Sequence, residues 1–259
     1  MFNLSLADLV YNNYCEMWRS VGQASTSPSI FVVEQSPEML VIRSNFTRRV
    51  PHMILDPTVT PGHEHAWIRA FLRDLGQGTT SLMVGIPPGL EEGSLISALR
   101  MAGFALAGRP QFAMTRPISS ELADGWDAHV DLVRDEAGLE EAHSLLSKVF
   151  DLPNAVFAYY TPPQLVDTLL LRIRGRSVGV ACLCPFAGVA GIYSLAVLPT
   201  ERGNGYARRL LKTLLANAAM KGLSLAVLSS ERDLAPFYQR QGFSFCWEQR
   251  SYWLEAWWR

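Results

Sequence analysis

The chain has 259 residues, enough for one large or two modest domains. Apolar residues make up 49% and charged residues 18%, with a formal net charge of −1 at pH 7. This suits a globular protein with a real core and excludes a nucleic-acid binder working through bulk positive charge.

The opening segment MFNLSLADLV has no basic leader and carries Asp8, so it does not read as a signal peptide. Apolar spacing predicts a helix over 6–21, then a loop at STSPS (25–29) and short strands at 30–33 and 39–42. A helix is expected over 64–75. His63-Glu64-His65 reads as its start rather than a metal pair, because no third ligand stands nearby. A strand at 81–86 and a helix stopping at Gly103 follow, then strand segments within 104–116. Turn and polar residues cluster at 117–125, which places a boundary between domains at 1–120 and 126–259.

The second half predicts a strand at 128–133, a helix over 135–150 and a short helix near 163–168. Strands are expected at 169–173, 177–185 and 190–198. The run 177–200 holds no charge, but Pro185, Gly188 and Gly191 interrupt it, so it reads as two buried strands rather than a membrane span. A helix over 206–221, a strand at 223–228, a helix over 234–241 and strands at 243–248 and 251–254 close the chain. The aromatic tail YWLEAWWR reads as an edge strand with buried rings. The four cysteines, Cys15, Cys182, Cys184 and Cys246, form neither a Cys-x-x-Cys pair nor a zinc spacing. They read as small buried hydrophobes in a reducing compartment.

The halves echo each other. SLMV at 81–84 parallels SLAV at 224–227, and ISALRMAGFA at 96–105 parallels PFYQRQGFSF at 236–245. LDPTVTPG at 55–62 sits where LPTERGNG sits at 198–205. The shared order of elements predicts a duplicated α/β fold.

Between a strand ending in LAVLP and a helix carrying Leu210, Leu211, Leu214 and Leu215 stands Arg202-Gly203-Asn204-Gly205-Tyr206-Ala207. Main-chain N–H groups at a helix start lack partners within the helix, and the helix dipole adds positive potential there. Glycines let an anion approach the backbone. Arg202 adds a permanent charge, and Arg208 and Arg209 fall in the first helical turn, where a cation is better tolerated beside a polyanion. No Gly-x-x-x-x-Gly-Lys-Ser/Thr run occurs, and arginine stands at 208 where a dinucleotide fingerprint needs a third glycine.

The loop resembles the Arg/Gln-x-x-Gly-x-Gly/Ala loop of the GNAT acyltransferase superfamily, and APFYQRQGF resembles that family's Ala-x-x-Phe-Tyr-x-x-x-Gly-Phe segment. The resemblance spans about residues 127–255, and the whole chain resembles bacterial members whose front half is a degenerate copy. It implies a mixed-sheet α/β fold in tandem, the C-terminal unit holding a complete acetyl-coenzyme A site. The loop Arg202–Ala207, with Arg208, would bind the pyrophosphate. Leu195, Ala196 and Val197 would pair with the pantetheine arm, and the Val197 N–H would face the oxyanion. Ser229 and Ser230 stand where many members carry asparagine, and their hydroxyls would bond the coenzyme. Tyr238 would act as catalytic residue at the sulfur.

The implied activity is transfer of an acetyl group to a small-molecule or peptide amine by direct attack. The alternative is a non-catalytic acyl-coenzyme A sensor. Glu201, Glu231, Asp233, Glu248, His143 and Asp151 are all open as general base. The front half has Leu99 where the back half has Tyr238, and TVTPG lacks the arginine. It is therefore expected to cover the cleft, shape the acceptor pocket or dimerise. No metal, nucleic acid or membrane partner is expected, and the expected location is cytoplasmic.

Overall fold

A computed structural model describes residues 4–24, 31–45, 50–75, 81–90 and 92–255. The first half runs α1 (Leu6–Ala24), β1 (Phe31–Gln35), β2 (Leu40–Ser44), β3 (His52–Leu55), α2 (Glu64–Leu75), β4 (Leu82–Gly85), α3 (Ser94–Met101), β5 (Ala105–Leu106) and β6 (Gln111–Pro117). The second runs β7 (Val130–Val133), α4 (Glu136–Phe150), α5 (Asn154–Tyr160), β8 (Asp167–Ile173), β9 (Arg176–Cys184), β10 (Ala190–Val197), α6 (Tyr206–Met220), β11 (Leu225–Glu231), α7 (Ala235–Arg240), β12 (Ser244–Gln249) and β13 (Ser251–Leu254). The expected loop at 25–29, residue 30 of the first expected strand and residues 256–259 of the aromatic tail lie outside the described residues.

Two mixed sheets result, with strand orders β1-β2-β3-β4-β13-β5 and β7-β8-β9-β10-β11-β6-β12. Both repeat one pattern of directions. Two antiparallel pairs lead into a parallel pair, β3 with β4 and β10 with β11, and antiparallel pairs follow. Only β7 has no counterpart in the first sheet. The sheets also exchange strands. β6, from before the 117–125 segment, runs between β11 and β12, while β13, from the chain's far end, runs between β4 and β5.

Helix α1 lies between the sheets. Val10, Cys15, Met17, Trp18 and Val21 share a core with Phe31, Leu40 and Ile42 of the first sheet and Cys182, Cys184 and Val227 of the second. Buried polar groups fix its position. The Tyr11 hydroxyl accepts from the Asp56 N–H at 2.8 Å. Asn13 donates to the Phe186 carbonyl at 2.8 Å and accepts from the Tyr193 hydroxyl at 2.7 Å. Gly191 is required beneath this helix, since a β-carbon there would collide with Asn13 Oδ1 and stand 2.6 Å from Tyr193 Cε2.

The short helix expected near 163–168 lies earlier, at Asn154–Tyr160. Pro153 sets its start, and Pro162 and Pro163 prevent its continuation, so β8 begins at Asp167. Strand β3 had no clear signal in the sequence, because four residues are too few to show a period. The uncharged run 177–200 forms β9 and β10, joined by a turn at 185–189. Among the described residues no helix is long and apolar enough to cross a membrane. Cys15, Cys182 and Cys184 are buried, and Cys246 is half-buried.

Candidate active site

Strand β10 builds the site by failing to be regular. It pairs with β11 only through Ala190 and Gly191, opposite Ala226 and Val227. From Ile192 onward the strands part, leaving the β11-facing N–H and C=O groups of β10 without a strand partner on that side. On its other side, pairing with β9 breaks between Tyr193 and Ala196, where Ser194 takes a left-handed φ of 53°. This is a β-bulge, and Ser194 bears a strain of about 1 kcal/mol or more. The bulge also changes which faces are presented. Ile192 and Leu195 are three apart yet join the same core beside α6, whereas an unbroken strand would put them on opposite faces.

The parted strands open a cleft of about 720 Å³. Leu195, Ala196 and Val197 line one wall, and Phe237, Tyr238 and Arg240 of α7 line the other. The loop before α6 closes one end, with Arg202, Gly203, Gly205, Tyr206, Ala207 and Arg208 all lining it. Gly203 and Gly205 hold φ of 84° and 76°, a region costly for other residues, and the space a β-carbon would enter at each is open. Gly205 caps α6, so the first N–H groups of a fifteen-residue helix face this end. The cradle of glycines, helix dipole and arginines fits a diphosphate.

The arginines differ. Arg202 is exposed, and its Nε donates to the Val197 carbonyl at 3.4 Å, tying the loop back to β10. Arg208 is exposed and has no side-chain partner among the described residues. Arg209 does not serve the cradle. Its guanidinium binds both carboxylate oxygens of Asp127, at 2.6 and 2.8 Å, and so pins the start of α6 to the segment before β7. The sequence signal for a polyanion therefore belongs to Arg202 and Arg208, while Arg209 is a structural clamp.

That clamp holds the Asp127 carboxyl well below the usual carboxylate range, chiefly through the Arg209 hydrogen bonds. A depressed carboxylate stabilises the fold above its unfolded pKa of about 3.9, and the contribution is lost as pH falls below that value. Asp127→Asn is expected to cost about 1–3 kcal/mol in urea unfolding at pH 7. The deficit relative to the parent should shrink progressively as pH falls below about 3.9 and still be present at about pH 2.

Tyr238 is buried between Phe237 and Phe243, with ring centroids 5.0 and 5.9 Å away. Burial pushes its phenol up to about 12. Its hydroxyl has no hydrogen-bond partner among the described residues, yet it lines the cleft. A free O–H that reaches the cleft from a buried ring suits a developing negative charge.

Two of the expected coenzyme contacts are not brought into the cleft. The Asn204 side chain turns back to donate to the Glu201 carbonyl at 3.1 Å. Ser229 shares the α1-facing side of β11 with Val227, by the two-residue period of the strand, and its hydroxyl donates to Gln249 at 3.0 Å. It lines a different cavity of about 900 Å³ at the junction of the two sheets, with Arg109, Gln111, Tyr193, Gln249 and Trp253. Ser230 faces the opposite way and is buried, its hydroxyl 3.9 Å from Met114 Sδ.

Among the candidate bases, only Glu201 lines the cleft, at the cradle end. Glu231 pairs with Arg109, and Glu248 with Arg232 and Arg250. His143 bonds Thr161 at 2.8 Å, and burial lowers its pKa, so it stays neutral near pH 7. Asp151 is the left-handed C-cap of α4, and Asp233 is exposed beside α7. Arg240, Phe237, Val149 and Phe150 line the cleft without having been singled out in the sequence. Arg240 was detectable in principle, standing two residues after Tyr238 on the same short helix.

In the first half β3 and β4 pair through His52, Met53 and Ile54. β3 ends at Leu55, and Asp56 is held by the Tyr11 hydroxyl and by Arg19 at 2.9 Å. Leu99 is fully buried.

An opened parallel pair beside a glycine cradle is the arrangement to compare with known acyltransferases. Residues 166–245 match the family model described as Acetyltransferase (GNAT) domain. Among solved structures, a GCN5-related N-acetyltransferase from Kribbella flavida superposes with a TM-score of 0.65 at 16% identity, covering 98% of this chain and 95% of that one. A GCN5-related N-acetyltransferase from Sphaerobacter thermophilus gives 0.60 at 16% identity, covering 96% and 92%. A tandem GNAT protein from the clavulanic acid biosynthesis pathway gives 0.60 at 14% identity, covering 99% and 98%. These likenesses show that the fold extends over both halves. No curated protein matches the chain in sequence.

Proposed function

We propose that the protein is an N-acetyltransferase that moves an acetyl group from acetyl-coenzyme A directly to an amine. The observation that carries the reading is the free Tyr238 hydroxyl, which lines the same cleft as the open edge of β10 and the Gly203–Gly205 cradle. Acetyl-coenzyme A supplies an activated acyl thioester. Gly203, Gly205, Arg202 and Arg208 hold its diphosphate, with Tyr206 and Ala207 beside them. Leu195, Ala196 and Val197 offer main-chain groups to its pantetheine arm. The N–H groups of this stretch, that of Val197 among them, stabilise charge developing on the carbonyl oxygen.

The amine attacks, a C–N bond forms, and the C–S bond breaks. Tyr238 donates a hydrogen bond to the departing sulfur. The amine's proton leaves through water, because Glu201, the only carboxylate lining the cleft among the described residues, sits at the diphosphate end. The acceptor enters from the junction cavity. Tyr193 of β10 and Ser229 of β11, the two strands that part, both line that cavity.

The test is calorimetric titration with acetyl-coenzyme A, followed by thiol release with a panel of amines. Binding with amine-dependent release supports the reading. Binding without release above background supports the sensor instead, and no binding overturns both.

A further inference from the structure

We infer that this protein accepts acyl groups larger than acetyl, namely uncharged aliphatic chains of about four to six carbons, in a small apolar cavity beyond the Ser194 bulge. The inference rests on the acyltransferase reading above. The cavity measures about 210 Å³, and its walls include Tyr14 and Met17 of α1, Phe157 and Tyr160 of α5, Cys182 of β9, and Ser194 itself.

Its position follows from the direction of β10. The diphosphate cradle stands after the C-terminal end of this strand, so an arm running back along Val197, Ala196 and Leu195 ends at Ser194. There two links join the walls of the cavity and of the cleft, which share no lining residue. Ser194 precedes Leu195 of the cleft wall, and Phe157 packs on Phe150 of the cleft with ring centroids 5.9 Å apart. A methyl group needs no such space. An apolar cavity of about 150 Å³ is enough for a benzene ring.

The chemistry of the walls selects the class of acyl group. No lysine, arginine, aspartate or glutamate lines the cavity. Three of its five hydroxyls are already engaged. The Tyr193 hydroxyl donates to Asn13 at 2.7 Å, the Thr161 hydroxyl to the Phe157 carbonyl at 2.8 Å, and the Tyr14 hydroxyl to Met53 Sδ at 3.7 Å. A carboxylate at the end of an acyl chain would be buried there without a counter-charge among the described residues. Burial pushes the Cys182 thiol up to about 12 and Cys184 well above its ordinary value, so both remain protonated and act as wall rather than nucleophile. The transfer itself is unchanged: the acyl carbon exchanges its bond to sulfur for one to the amine nitrogen, and the amine loses the proton that the thiol gains.

Calorimetry on the full chain with coenzyme A and its acetyl, propionyl, butyryl, hexanoyl, decanoyl and succinyl thioesters tests this without knowledge of the acceptor. Affinity should rise about four-fold per methylene from acetyl to butyryl, the equivalent of ~0.8 kcal/mol each. It should level off by decanoyl, and succinyl should bind no tighter than coenzyme A. Met17→Ala should extend the rise to longer chains, and Cys182→Met should cut it short. The butyryl-to-acetyl affinity ratio cancels any general effect on stability. Flat affinity from acetyl through hexanoyl, tightest binding by succinyl, or a ratio unmoved in both variants overturns the inference and leaves the acyltransferase reading standing. Failure of coenzyme A itself to bind overturns both.

Discussion

Tyr238→Phe is expected to lower kcat about 10- to 100-fold while leaving the dissociation constant for acetyl-coenzyme A within about two-fold. The magnitude is that of a hydrogen bond to a charged group. The phenol sits near 12, and a free thiol near about 8.5. Full proton transfer from phenol to thiolate is therefore uphill, and the main contribution of Tyr238 is a short donor bond as charge appears on sulfur. Because the hydroxyl has no partner among the described residues, removing it breaks nothing in the free protein. Stability should stay within about 0.5 kcal/mol of the parent. The same raised pKa keeps Tyr238 protonated through the working range, so it should impose no alkaline limb on the rate below about pH 10. Steady-state thiol release and calorimetry on one preparation check both parts, and an unchanged kcat in the phenylalanine variant would remove Tyr238 from the chemistry.

Arg202→Ala combined with Arg208→Ala should weaken acetyl-coenzyme A binding about 100-fold at low salt, with each single change costing about 10-fold. Both side chains are exposed and line the cradle, and neither is neutralised by a carboxylate among the described residues. The loss should shrink as ionic strength rises, since exposed charges are screened within about 8–10 Å. Arg209→Ala serves as the contrast. Its charge is bound to Asp127, so it should lower unfolding stability and leave the salt dependence of binding much as it was. Equal affinity losses from Arg208 and Arg209 would contradict this division.

Much of the fold was legible because period and punctuation agree. Helix α2 begins and ends at the expected residues, as does β13, and α6 begins at Tyr206 directly after the Gly205 cap. The cradle was legible for a related reason. Its function depends on glycines with positive φ beside a helix start, a requirement that only certain residues satisfy at fixed spacing. Tyr238, singled out by its Gly-Phe neighbours, lines the cleft. Ser229 lines the junction cavity instead of the cleft because the face a strand residue shows depends on register, which pairing partners set.

By itself the sequence determined the elements, the glycine cradle and the phenol, since each rests on local chemistry: backbone geometry, helix termini and side-chain type. Only the tertiary structure decided which arginines stay free, where β10 and β11 part, how the Ser194 bulge shifts the facing of Leu195, and which cavities meet the cleft. Those features arise from contacts between residues far apart in the chain, as when Asp127 takes Arg209 or α1 wedges between the exchanged sheets. No window of neighbouring residues contains both partners of such a contact, so no local pattern can encode it.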